Sequence, residues 1–69
     1  MWHNMKYRYS FKTDEGTTEW TETVYPGDLY IEMHGVFGSE DFAMEVLAWA
    51  EEAKPGERYE DDDVIIECV

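Results

Sequence analysis

From Met5 to Thr13 the chain alternates strictly, with Met5, Tyr7, Tyr9 and Phe11 on one side and Lys6, Arg8, Ser10 and Lys12 on the other. A period of two in aromatic-rich sequence predicts a half-buried strand. Asp14-Glu15-Gly16 predicts a tight turn in which Gly16 takes positive φ. Thr17 to Tyr25, rich in Thr, Trp, Val and Tyr, predicts the returning strand of a hairpin. Two registers compete. A two-residue Glu15-Gly16 loop sets Phe11 opposite Trp20, Tyr7 opposite Val24 and Lys12 opposite Glu19, which matches the apolar faces. A three-residue loop with a bulge sets Phe11 opposite Glu19 and Arg8 opposite Glu22, which suits the turn chemistry better.

Pro26-Gly27-Asp28 breaks this pattern. Leu29, Ile31 and Met33 then alternate again and predict a third strand over 28–34, although Asp28 equally suits the cap of a short helix ending at Gly35. Gly35 to Gly38 reads as a loop carrying Val36 and Phe37. Ser39 opens the clearest element, an N-cap followed by Glu40 and Asp41 in the first turn, where the helix dipole favours negative charge. Pro55-Gly56 ends this helix near Lys54. With about 3.6 residues per turn, Phe42, Val46, Trp49, Ala50 and Ala53 share one face, with Ala43 and Leu47 at its edge. Residues 57–63 read as an acidic loop, and Val64 to Val69 as a final, largely buried strand. The expected class is α+β in the order β-β-β-α-β: a small antiparallel or mixed sheet with one amphipathic helix packed across one face.

Sixty-nine residues imply one domain. A chain of this size buries only about 60% of its unfolded surface, so it needs reinforcement. Cys68 is the only cysteine, which excludes an internal disulfide and fits a reducing compartment. The reinforcement is aromatic: Trp2, Tyr7, Tyr9, Phe11, Trp20, Tyr25, Tyr30, Phe37, Phe42, Trp49 and Tyr59. With 43% hydrophobic residues the composition is too apolar for the disordered class. Neither a signal peptide nor a membrane-spanning run is apparent, so a soluble, cytoplasmic protein is expected. Met5 would serve as an alternative start, making Met1 to Asn4 a dispensable extension.

Enzyme signatures are absent. Gly35-Val-Phe-Gly38 has no basic neighbour and no phosphate-loop fingerprint. Cys68 with His34 or His3 is a pairing that any chain with one Cys and two His permits; a semi-buried thiol and two surface imidazoles is the plainer reading. A zinc site from His3, His34 and Cys68 lacks paired spacing. Glu60-Asp-Asp-Asp63 lacks the glycine and the terminal bidentate Glu of a calcium loop. No catalytic residue, metal or cofactor is therefore expected.

Charge changes the picture. Seventeen acids face five basic residues, a net charge of −12, and three of the five basic residues lie in the first twelve positions. On the helix, Asp41, Glu45 and Glu52 fall within about 40° of one another opposite the core face, flanked by Glu40 and Glu51. No Lys or Arg stands at i+4 to offset them, and Glu51 and Glu52 sit where the helix dipole disfavours anions. Glu60, Asp61, Asp62 and Asp63 form a second patch. Uncompensated acid in two patches points to a partner-binding surface, against the plainer alternative of a solubilising face. A domain of about 28 Å spans a length over which B-DNA carries roughly 16 charges. Solubility alone needs a net charge of only about 2 to 8.

In size, charge and compactness the chain resembles the small acidic nucleic-acid mimics encoded by phages and mobile elements, the anti-CRISPR and anti-restriction proteins. It carries no family motif that would transfer functional residues. It is more loosely similar to small acidic antitoxins of the HicB type through Met5-Lys-Tyr, Thr13-Asp-Glu-Gly16, further strands and a helix. Their Pro-Asp-Leu-Pro-Gly segment is replaced here by Tyr25-Pro-Gly-Asp28. The first resemblance implies an inhibitor, acting in the host cytoplasm if phage-encoded. As monomer or homodimer it would cover the basic nucleic-acid-binding surface of a nuclease or CRISPR-type effector without binding nucleic acid or membrane itself. The alternatives are an antitoxin or immunity protein plugging one basic nuclease, and a self-associating structural module. In the latter the outward Lys6, Arg8 and Lys12 would dock on a neighbour's acidic helix.

Overall fold

The computed structural model describes residues 5–69. Trp2 and His3, invoked above for the core and for a zinc site, lie outside the described residues, as does the Met1 to Asn4 extension. Strand β1 (Tyr7–Thr13) turns through Asp14-Glu15 into β2 (Gly16–Thr17), with Gly16 at φ 122° as the turn requires. Thr13 Oγ1 closes the turn by donating to the Gly16 carbonyl and accepting from the Glu15 N–H.

The hairpin follows neither single register throughout. Lys12 faces Thr17 near the turn, whereas Arg8 faces Glu22 where β1 pairs with β3 (Thr21–Thr23). Thr18, Glu19 and Trp20 lie opposite only Ser10 and Phe11, which makes a bulge between the two paired segments. The bulge is bonded internally. Thr18 accepts the Phe11 N–H at Oγ1 (2.9 Å) and the buried Ser10 hydroxyl at its carbonyl (2.6 Å). The bulge-loop expectation for Arg8 and Glu22 holds, and the pairing of Phe11 with Trp20 does not.

Residues 28–34 are not a strand. They lie within helix α1 (Pro26–Phe37), which also absorbs the expected Gly35–Gly38 loop up to its αL cap at Gly38 (φ 63°). Pro26 at the first helical position and Asp28 in the first turn start it. Leu29 and Met33 are fully buried while Ile31 is 68% exposed, a helical and not an alternating pattern. Asp28 accepts from Thr23 Oγ1 at 2.7 Å, tying the helix to β3.

Helix α2 (Glu40–Glu52) matches its expected start: Ser39 Oγ accepts the Phe42 N–H. Ala43, Val46, Ala50 and the cap residue Ala53 are buried, with Phe42 and Trp49 packed half-buried beside them. The supposed 57–63 loop contains β4 (Arg58–Glu60), antiparallel to β5 (Val64–Cys68). Every pairing is antiparallel, with β5 central between β1 and β4 and with β2 and β3 both on the far side of β1. The class is thus α+β, in the order β-β-β-α-α-β-β, with two helices where one was expected.

Val64, Ile66 and Cys68 of β5 and Tyr7 and Tyr9 of β1 form one cluster with the buried helix residues. The Tyr7 hydroxyl donates to the Ala50 carbonyl at 2.7 Å. That carbonyl belongs to the last turn of α2, where acceptors lack partners within the helix. Tyr7→Phe leaves it with only the weak 3.4 Å bond from the Ala53 N–H. The variant should lose about 1 kcal/mol, read as a fall of roughly 4–8 °C in Tm.

Candidate functional site

The acidic residues divide by what holds them. Glu40, Asp41, Glu45, Glu51 and Glu52 are all exposed, as a helix facing the core with its alanines demands. Two of them have partners. The Tyr59 hydroxyl donates to Glu45 Oε2, and the Tyr30 hydroxyl donates to Glu40 Oε2 at 3.4 Å. Asp41, Glu51 and Glu52 make no ion pair or side-chain hydrogen bond among the described residues.

The second patch is less uniform than its sequence. Glu60 lies on the sheet face away from the helices, bonded to Lys12 Nζ at 2.7 Å and to Arg58 at 3.3 Å. The Lys12 hydrogen bond and charge, helped by Arg58, hold its carboxyl below the usual range. Glu60 is therefore neutralised and is no part of an uncompensated surface. Asp61 shapes the turn, because its Oδ1 accepts the N–H groups of Asp63 (2.8 Å) and Val64 (3.2 Å). Asp62 and Asp63 remain exposed.

Tyr59 joins the two patches, which the sequence keeps apart. Burial, then the bond to Glu45, then the charges of Glu45 and Asp61 push its hydroxyl well above the ordinary tyrosine range. Glu45 of the α2 stripe and Asp61 of the β4–β5 turn thus both act on one tyrosine. No sequence signal marked Tyr59 as the link, since it falls in the segment that reads as an acidic loop.

Four of the five basic residues pair elsewhere, while Lys54 makes no ion pair among the described residues and lines a concavity with Glu51 and Glu52. Lys6 pairs with Glu22 (3.8 Å), Arg8 with Glu67 (2.7 Å), and Lys12 and Arg58 share Glu60. The Arg8 guanidinium also lies 4.3 Å from the Trp20 ring centroid. Each exposed pair adds only about 0–1 kcal/mol, but together they cancel the outward row of β1. That row no longer offers a positive surface for a neighbour's acidic helix. The extents of the chain, 41 × 23 × 15 Å, also revise its comparison with a duplex. Over the long axis B-DNA carries roughly 24 charges, so the net −12 amounts to about half that density.

Among the described residues Cys68 and His34 share no hydrogen bond. Cys68 is fully buried, not half-buried, with Sγ 3.8 Å from Met5 Sδ, and burial followed by the Glu57 charge raises its pKa. His34 is exposed on α1 beside the Tyr30 ring, centroids 5.9 Å apart. Among the described residues no group of three or more His, Cys, Asp or Glu is placed to hold a metal ion. No helix there is long and apolar enough to cross a membrane. The chain matches no protein-family model, no curated protein and no solved structure.

A raised tyrosine pKa means that the fold holds the proton more tightly than the unfolded chain does. Stability from Tyr59 is therefore intact below the ordinary value of 10.0 and is lost as pH rises toward the folded value. Tyr7 and Tyr9, raised mainly by burial, add to the same loss. Urea unfolding at a series of pH values should show stability falling from about pH 10 upward. The fall should be shallower in Tyr59→Phe.

Proposed function

We propose that the chain is an acidic inhibitor that covers a basic nucleic-acid-binding surface on a nuclease or effector complex and excludes DNA or RNA by charge competition. The observation that carries this reading is segregation of charge. Among the described residues the ion pairs gather on the sheet face away from the helices, leaving Asp41, Glu51, Glu52, Asp62 and Asp63 with no cation. A face meant only for solubility gains from interspersed Lys or Arg, and this one has only Lys54, at its end beside Glu51 and Glu52. The acids that remain are held on a helix face and at a hydrogen-bonded turn, so little ordering is needed to present them.

At half the linear density of a duplex, the surface competes for a basic groove without copying the phosphate spacing of DNA. Counterions would be released from both surfaces on docking, so the affinity should depend steeply on salt. Competition against duplex DNA for a DNA-binding nuclease complex, across about 50 to 200 mM salt, should show affinity falling at least about tenfold. Asp41→Lys with Glu52→Lys should weaken binding and flatten the slope. Salt-independent binding, or unchanged binding by that double variant, would sink the proposal.

A further inference from the structure

We infer that the concavity between the two helices and the β4–β5 turn receives an arginine side chain of the basic partner, an inference that rests on the inhibitor reading above. The cavity has a volume of about 250 Å³ and is lined by Phe37, Phe42, Asp61 and Asp63. Phe37 ends α1 and Phe42 stands in the first turn of α2, their ring centroids 5.3 Å apart and their planes at 87°. Both rings are half-buried and line the cavity, Phe37 packed also on Phe11 and Phe42 on Tyr59. The wall is acidic. Asp61 is fixed by the two N–H groups that bind its Oδ1, which leaves Oδ2 as an acceptor. No Lys or Arg lines the cavity; Lys12 bonds the Asp63 carbonyl through its own backbone N–H but sends its ammonium to Glu60.

Aromatic faces beside carboxylates select the kind of cation. A hard divalent ion needs six to eight oxygens, which two phenyl rings cannot supply. A guanidinium is planar and weakly hydrated, so it stacks on a ring while donating to a carboxylate at its edge. A lysine ammonium, more strongly hydrated, loses more on entering the same site. The cavity thereby adds a requirement for shape to a surface otherwise specified by charge.

Amide NMR spectra of the full chain, titrated at low salt with N-acetyl-arginine methylamide and with its uncharged citrulline analogue, test this. Arginine should shift the signals of Phe37, Gly38, Phe42 and Asp63 and bind at least about threefold more tightly than citrulline. Asp61→Asn keeps the turn's acceptor oxygen, and combined with Asp63→Asn it should abolish that difference. Phe42→Leu should weaken arginine binding by about two- to fivefold. If the double variant loses its dispersed spectrum, Asp63→Asn alone and Phe42→Leu decide the matter. Equal response to citrulline, or arginine shifts spread evenly over Asp41, Glu51 and Glu52, would overturn the cavity assignment. Even spreading would leave the acidic-surface reading standing, since that reading fails separately on a flat salt dependence.

Discussion

Close contact between aromatic rings is the constraint on which the rest of this structure depends. Starting at Tyr7, the contacts run to Trp49, Tyr59, Phe42, Phe37 and Phe11, and close at Tyr9 with neighbouring centroids 5.3 to 6.5 Å apart. The path begins and ends two residues apart on one face of β1, having visited both helices and β4. Inside it the buried side chains are mostly small or aliphatic: Ala43, Val46, Ala50, Val64, Ile66, Leu29 and Met33. So short a chain cannot fill a core by number of residues, so it fills one by ring area. The buried alanines of α2 take little of the core volume and leave it to the rings packed beside them.

Much of this architecture is legible in the sequence, and the misreadings have physical causes. The β1 alternation and the Ser39 cap are local signals that tertiary packing reinforces, so both survive. Leu29 and Met33 are four apart, a spacing that alternation and a helix share. Ile31 completes the alternation by accident and lies on solvent, while Gly35 obscures a helix that continues to Phe37. The strand at Arg58–Glu60 is only three residues long and sits in acidic sequence. What makes it a strand is Tyr59 reaching inward to Trp49 and Phe42 while Glu60 meets Lys12 and Arg58 outward. Those partners are distant in sequence, and no window centred on residue 59 contains them.

The acidic surface shows a similar division. Periodicity places Asp41, Glu45 and Glu52 on one face of α2, because a helix determines its own faces. It cannot say which acids acquire cations or N–H donors once the sheet closes. Glu60 and Asp61 look equivalent to Asp62 and Asp63 in sequence, yet one is neutralised and the other holds a turn. The bulge at Thr18 to Trp20 is a further case. Apolar matching and turn chemistry favour different registers; the apolar one forms nowhere, and the strand changes midway from a Lys12–Thr17 pairing to the Arg8–Glu22 pairing that turn chemistry favours.

β4 is also the outer strand of its sheet, with one row of backbone groups unpaired. Such a row is a template for strand addition, by which many small β proteins aggregate. Here, antiparallel self-pairing centred on Tyr59 would set Glu57 against Asp61 of the next copy at both ends, and Arg58 against Glu60 between them. The like pairs oppose that addition and the opposite pairs favour it, so the ends of β4 do not decide the matter alone. What opposes the approach of two edges is the net charge of −12 that each copy carries, a repulsion that added salt would screen.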